Sequence, residues 1–185
     1  LVAVYEPAKR SGPAGVAIGY REEFTPAEYV TVPFALVRTH LWEGQHPLVV
    51  GGAFLLPFLV GLGAVRRRWD RTWERTPVRY ALAGDGLLVL ASGLNTLVQM
   101  GLALARTGPQ SGALVTAVFV VVPVVCGWWA VTVALRDDVR LAARTRVGVA
   151  AAGVAALATW AGFVVGPLLL ALVAVAPERF SGTRR

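Results

Sequence analysis

The stretch YALAGDGLLVLASGLNTLVQMGLALA, residues 80–105, is apolar enough to cross a membrane, yet it carries Asp85, Ser92, Asn95, Thr96 and Gln99. At 100° per residue these five positions fall on one side of a helix. Hydrocarbon has no water to hydrogen-bond such groups, so the stripe must face other helices, a wet cavity or a partner protein. A membrane protein with an inward polar seam follows.

Working outward, the 185 residues are 56% hydrophobic, with a mean hydropathy of +0.60, which is too apolar for an ordinary soluble domain. Of the 18 basic residues only Lys9 is a lysine, the usage expected of a GC-rich prokaryotic genome. The formal charge is +7, but the arginines gather in two short stretches between apolar segments. That is the positive-inside pattern of a membrane protein rather than a nucleic-acid surface. The expected partners are therefore the lipid bilayer and other membrane subunits or further copies of the chain, and no nucleic acid. Cys126 is the single cysteine, which excludes an internal disulfide and any Cys-ligated cluster.

The chain is read as an all-α integral membrane protein with four transmembrane helices, arranged as two consecutive hairpins and preceded by an exterior amphipathic helix. Residues 48–65 are eighteen without a charge, enough for a first span, with Pro57 in the middle. Residues 66–79 follow with six arginines against Asp70 and Glu74, flanked by Trp69, Trp73 and Tyr80. The second span is 80–105, and Gly108-Pro109 marks a tight turn. The third span is 112–135, with Pro123 inside it. Residues 136–146 hold four arginines against Asp137 and Asp138, and 147–176 is the fourth span, thirty residues long. Residues 177–185 form a tail. Both arginine-rich stretches belong in the cytoplasm, which places both termini outside a prokaryotic plasma membrane.

Residues 1–47 form a separate exterior segment whose start is rich in glycine and proline; Leu1 is expected to be a processed end, the beginning of a fragment or an unusual start codon. Thr25-Pro26-Ala27-Glu28 is a capping box, with the threonine accepting from the backbone of position 28 and the glutamate reaching back. It predicts an interfacial helix over about 26–43, interrupted at Pro33, which lacks an N–H.

Three groups of residues are candidates for function. His40, Glu43 and His46 lie three apart, and imidazole and carboxylate ligands suit a divalent metal at the exterior surface. Against a compact site, six residues separate the histidines by about 9 Å along a helix and about 120° around it. The second group is the seam of Asp85, Ser92, Asn95, Thr96 and Gln99. Pro57 and Pro123 leave the carbonyls of Ala53 and Phe119 without helical donors, so Asn95 and Gln99 are expected to satisfy them as interhelical glue. The sharper reading is a midplane binding site. Asp85, near the cytoplasmic surface, is expected to pair with Arg79 or an arginine of an inner loop. Third, Gly148, Ala152 and Ala156 recur at four-residue spacing, a packing face that lets helices approach closely.

No phosphate-binding loop and no serine, histidine and aspartate set can be assembled, so an enzyme is not the leading reading. The expected function is a small polytopic subunit that packs within and stabilises a larger membrane complex. The alternatives are a small oligomeric transporter or channel lined by the polar seam, and a membrane metal or redox protein using the His40, Glu43 and His46 segment.

Overall fold

Thr25 and Thr76 each precede a proline, and each begins a helix, because the threonine oxygen takes up a first-turn N–H while the proline has none to lose. At Thr25 the capping box is complete. The hydroxyl accepts from the Glu28 N–H at 3.4 Å, and the Thr25 N–H donates back to the Glu28 carboxylate at 2.6 Å. Those hydrogen bonds hold the Glu28 carboxyl below its ordinary value.

The computed structural model describes residues 25–69, 76–109, 111–136, 142–177 and 180. The expectations for residues 1–24, for the acids and arginines of 70–75 and 137–141, and for most of the tail lie outside these. Among the described residues there are six helices: α1 (Pro26–Trp42), α2 (Pro47–Trp69), α3 (Pro77–Thr107), α4 (Gly112–Ala134), α5 (Ala143–Ala158) and α6 (Val165–Val175). Three of them, α2, α3 and α4, are long and apolar enough to cross a membrane. At 1.5 Å per residue, α3 is about 46 Å long and extends well beyond a hydrocarbon core of about 30 Å.

Two expectations need correction. Pro33 does not interrupt α1, which runs continuously through it; the proline removes one helical hydrogen bond, and its ring is buried among neighbours. The second correction concerns the fourth expected span. Residues 147–176 are not one helix but α5 and α6, separated by a turn over 159–164. Gly162 and Gly166 are weak helix formers, and Pro167 lacks the N–H that would bond the carbonyl of Phe163. Within the turn Trp160, Gly162, Phe163 and Val164 all have positive φ, at 50°, 78°, 57° and 65°. For a β-branched residue such as Val164 this is a strained conformation.

The turn sends the chain back on itself. The Arg146 guanidinium, at the start of α5, donates to the carbonyls of Ala174 and Ala176, at the end of α6, at 3.0 and 2.6 Å. Midway along, a Cβ on Gly153 would lie 3.1 Å from the Pro167 carbonyl. α5 and α6 are thus an antiparallel hairpin whose two ends lie together. With α5 at about 24 Å and α6 at about 16 Å, neither arm is as long as a hydrocarbon core of about 30 Å.

α3 is the centre of this arrangement and touches α2, α4 and α6. Its contact with α4 is the most extensive and depends on glycine. A Cβ on Gly127 would meet the backbone nitrogen of Leu90 at 2.5 Å and the carbonyl of Gly86 at 2.6 Å. One on Gly93 would meet Pro123 and Val124 at about 3.0 Å. Only residues without side chains let the two backbones come this close. The buried core, with Leu82, Val89, Val133, Val149 and Leu170 at its heart, lies between α3, α4 and the hairpin.

Candidate functional site

The seam of α3 divides along its length. Asp85 and the four residues nearer the end of the helix have different fates. Ser92, Asn95, Thr96 and Gln99 line a partly open cavity of about 380 Å³, bounded by four other parts of the chain. α1 contributes Pro33, Leu36, Val37 and His40; α2 contributes Val50, Gly51, Phe54 and Leu55. α4 adds Phe119 and Pro123, and the hairpin turn adds Thr159, Trp160, Ala161 and Phe163. The aromatic wall is ordered by ring contacts: Phe163 meets Phe54 edge-on at 5.0 Å and Phe34 of α1 at 5.9 Å.

Each hydroxyl of the seam has a local task. Ser92 Oγ donates to the Leu88 carbonyl at 2.9 Å and accepts from the Gly162 N–H, also at 2.9 Å. The second bond spans seventy residues and fastens the hairpin tip to α3. Non-helical backbone at membrane depth needs such a partner, because lipid offers none. Thr96 Oγ1 donates to the Ser92 carbonyl at 3.0 Å, one helical turn back.

The amides behave otherwise. Asn95 and Gln99 were expected to bond the carbonyls of Ala53 and Phe119, and neither does. Gln99 Nε2 and Oε1 and Asn95 Oδ1 are buried without a hydrogen-bond partner among the described residues. Neither amide acts as glue to those two carbonyls in this structure.

Asp85 sits seven residues before Ser92, on the same stripe, but does not line the cavity, and Val89 between them in sequence is fully buried. Only 2% of Asp85 is exposed, and its Oδ2 has no hydrogen-bond partner. The expected ion pair is absent among the described residues. Arg79 instead donates to the Arg136 carbonyl at 3.1 Å, joining the start of α3 to the end of α4.

His40, Glu43 and His46 do not converge. His40 Nδ1 lies 3.6 Å from Glu43 Oε2 and 3.4 Å from Gln45 Nε2. Its proton decides which neighbour it serves, as donor to the carboxylate or acceptor from the amide. His46 faces elsewhere, with Nδ1 accepting from the Leu48 N–H at 3.2 Å and so capping α2. Among the described residues no group of three or more His, Cys, Asp or Glu side chains is placed to hold a metal. Of the three, His40 alone reaches the cavity.

The spacing of Gly148, Ala152 and Ala156 maps onto a buried face of α5. Ala152 and Ala156 are 5% and 0% exposed, and a Cβ on Gly148 would lie 2.7 Å from the ring of Trp129. Reading the sequence missed the closer approach, Gly86 against Gly127 and Gly93 against Pro123 and Val124. The seven-residue interval between Gly86 and Gly93, two turns along one face of α3, was the available signal. It also missed the hairpin turn, although Gly162, Gly166 and Pro167 mark it. The chain matches no family model, no curated protein and no solved structure.

Proposed function

We propose that the chain is a small membrane transporter or channel component, working as an oligomer, which holds an uncharged solute in the cavity between α1, α3 and the α5–α6 turn. The observation that carries this is the cavity itself, about 380 Å³, with Ser92, Asn95, Thr96 and Gln99 of one helix face among its lining residues. Small-molecule sites are mostly apolar spaces into which a few polar residues converge, and this lining has that make-up. A half-length hairpin whose tip stands at the same depth adds support, because broken helices at the midplane are a recurrent way to build solute sites.

The arrangement belongs in a prokaryotic plasma membrane, with Arg79, Arg136 and Arg146 at the cytoplasmic end and α1 outside. With the end of α6 beside Arg146, this reading puts the tail on the same side as that arginine. Its three arginines then obey the same charge rule as the loops.

The test is water access. In a Cys126→Ala background, Thr96→Cys in proteoliposomes should react with a small hydrophilic thiol reagent, whereas Leu82→Cys in the core should not. Uptake of small neutral solutes, followed by light scattering, should be lost in an Asn95→Leu, Gln99→Leu double variant. An inert Thr96→Cys removes the pathway. A second reading, a stabilising subunit of a larger complex, is favoured by α1, which leaves Val30, Leu41 and Trp42 about half exposed on its outer side. Isolation in gentle detergent tests it, and a monomer free of co-isolating proteins ends it.

A further inference from the structure

Asp85 is the only Asp or Glu in α2 to α6, and the solute cavity does not use it. It lies eight residues into α3, about 12 Å along the helix axis. The residue is buried, and its Oδ2 has no hydrogen-bond partner. A neutral carboxylic acid can occupy such a place. A carboxylate there would hold a full charge without water, donor or counter-ion, and aspartate is too short to carry that charge out to a membrane surface.

The charged and titratable groups of the neighbouring elements leave Oδ2 alone. On α3 itself, Arg79 donates to the Arg136 carbonyl beyond the end of α4, and Tyr80 meets Trp69 edge-on at 4.7 Å. α2 brings Arg66, Arg67 and Arg68, all exposed, and α4 brings the Cys126 thiol. In the hairpin, Arg144 is exposed and Arg146 holds the carbonyls of Ala174 and Ala176; α6 has no titratable side chain.

Positions 85, 89 and 92 share one face of α3, and the hairpin lies along it. A Cβ on Gly166 would stand 3.4 Å from the Val89 side chain and 3.9 Å from the Asp85 carbonyl, and one on Gly162 would stand 3.0 Å from Val89. Two turns beyond Asp85, the Gly162 N–H donates to Ser92 Oγ. The turn also has somewhere to go. The positive φ of Trp160, Phe163 and Val164 persists only while surrounding contacts override it, so release from α3 relieves strain.

We propose that the α5–α6 hairpin docks on α3 only while Asp85 carries a proton, and that loss of this proton to water releases the hairpin tip. A charged Asp85 and a docked hairpin exclude each other, because docking removes the water that the charge requires. Acid therefore favours docking and alkali opposes it, by at most about tenfold in the docking equilibrium per pH unit for one proton. Thr159, Trp160, Ala161 and Phe163 of the turn line the cavity, so the proton at Asp85 governs one of its walls. No solute is needed for this exchange.

The experiment uses the full chain in lipid nanodiscs and follows amide exchange between about pH 5 and about pH 9, corrected for intrinsic rates. Protection of the Gly162 amide should fall about tenfold or more across this range, while that of Leu90, inside the α3–α4 contact, holds. In Asp85→Asn, a neutral side chain of the same shape, Gly162 should stay protected at every pH. Difference infrared spectra of the native chain give a second reading if Asp85→Asn fails to fold. The carboxylic-acid C=O stretch should vanish over the same range in which Gly162 loses protection. Exchange at Gly162 that ignores pH, a pH response retained in Asp85→Asn, an acid stretch that outlasts the protection of Gly162, or equal loss at Leu90 overturns the inference.

Discussion

The two ends of α3 meet their surroundings in opposite ways. From Gly86 to Gly93 the helix is pressed against α4 so closely that a single methyl group at Gly127 would strike backbone. From Ser92 to Gln99 the same helix faces open space, with amide atoms unpaired. One end is organised for van der Waals contact, which is what holds helices together where lipid is as apolar as they are. The other end forgoes that contact. The difference teaches that the two amides of the seam do not serve the stability of the bundle, which rests on the glycine contacts and the Ser92 tie, and that the space beside them is bounded by a rigid frame.

The comparison can be broken most severely at the tight end. Gly127→Leu should separate α3 from α4 and cost about 3 kcal/mol or more, since backbone cannot yield as a flexible side chain does. Loss of the folded form in detergent unfolding is the readout, and a variant as stable as the native chain would refute the close crossing. At the junction of the two ends, Ser92→Ala removes the tie to Gly162 and should cost about 0.6 to 2 kcal/mol. Faster hydrogen exchange at the Gly162 amide would locate the loss at the hairpin tip.

At the open end the sign reverses. Gln99→Leu should leave the unliganded protein unchanged or more stable by about 1 kcal/mol, because it replaces unsatisfied buried atoms with apolar ones. A marked destabilisation would mean that the amide bonds within the protein, and the contrast between the ends would fail. The smallest effect lies at the far side of the cavity, in α1. The Glu28 carboxyl is held below its ordinary value by the Thr25 N–H and hydroxyl. Its support for the helix start is therefore complete above the unfolded value of 4.5 and disappears as pH falls through the lower folded value. Fraying of the first turn of α1 at pH 3, measured by amide exchange and absent from the pH profile of Glu28→Gln, sharpens the view of α1 as a separately capped cover.

Much of this was legible in residue types and spacing. Three long apolar helices, the helix start at Thr25, and a single polar face on α3 follow from counting and periodicity. What periodicity could not give was depth. Residues 147–176 are apolar throughout the relevant window, and apolarity alone does not distinguish a crossing from a return; Gly162, Gly166 and Pro167 make that distinction through backbone conformation. Likewise the seam's angle on the helix says that it faces inward, but whether it meets a carbonyl or a void depends on how closely α3 and α4 approach below it. The even spacing of His40, Glu43 and His46 suggested a shared task, but a histidine before a helix has a second use, capping, that spacing does not reveal.

The hairpin also bears on how the protein is made. On the reading that α5 and α6 enter and leave on one side, as their adjoining ends allow, the hairpin carries nothing across the bilayer. It then docks against α3, where the Ser92 hydroxyl receives the amide of Gly162 at the tip. A fluorescent protein fused to the C-terminus should end on the same side as Arg146 without impeding assembly.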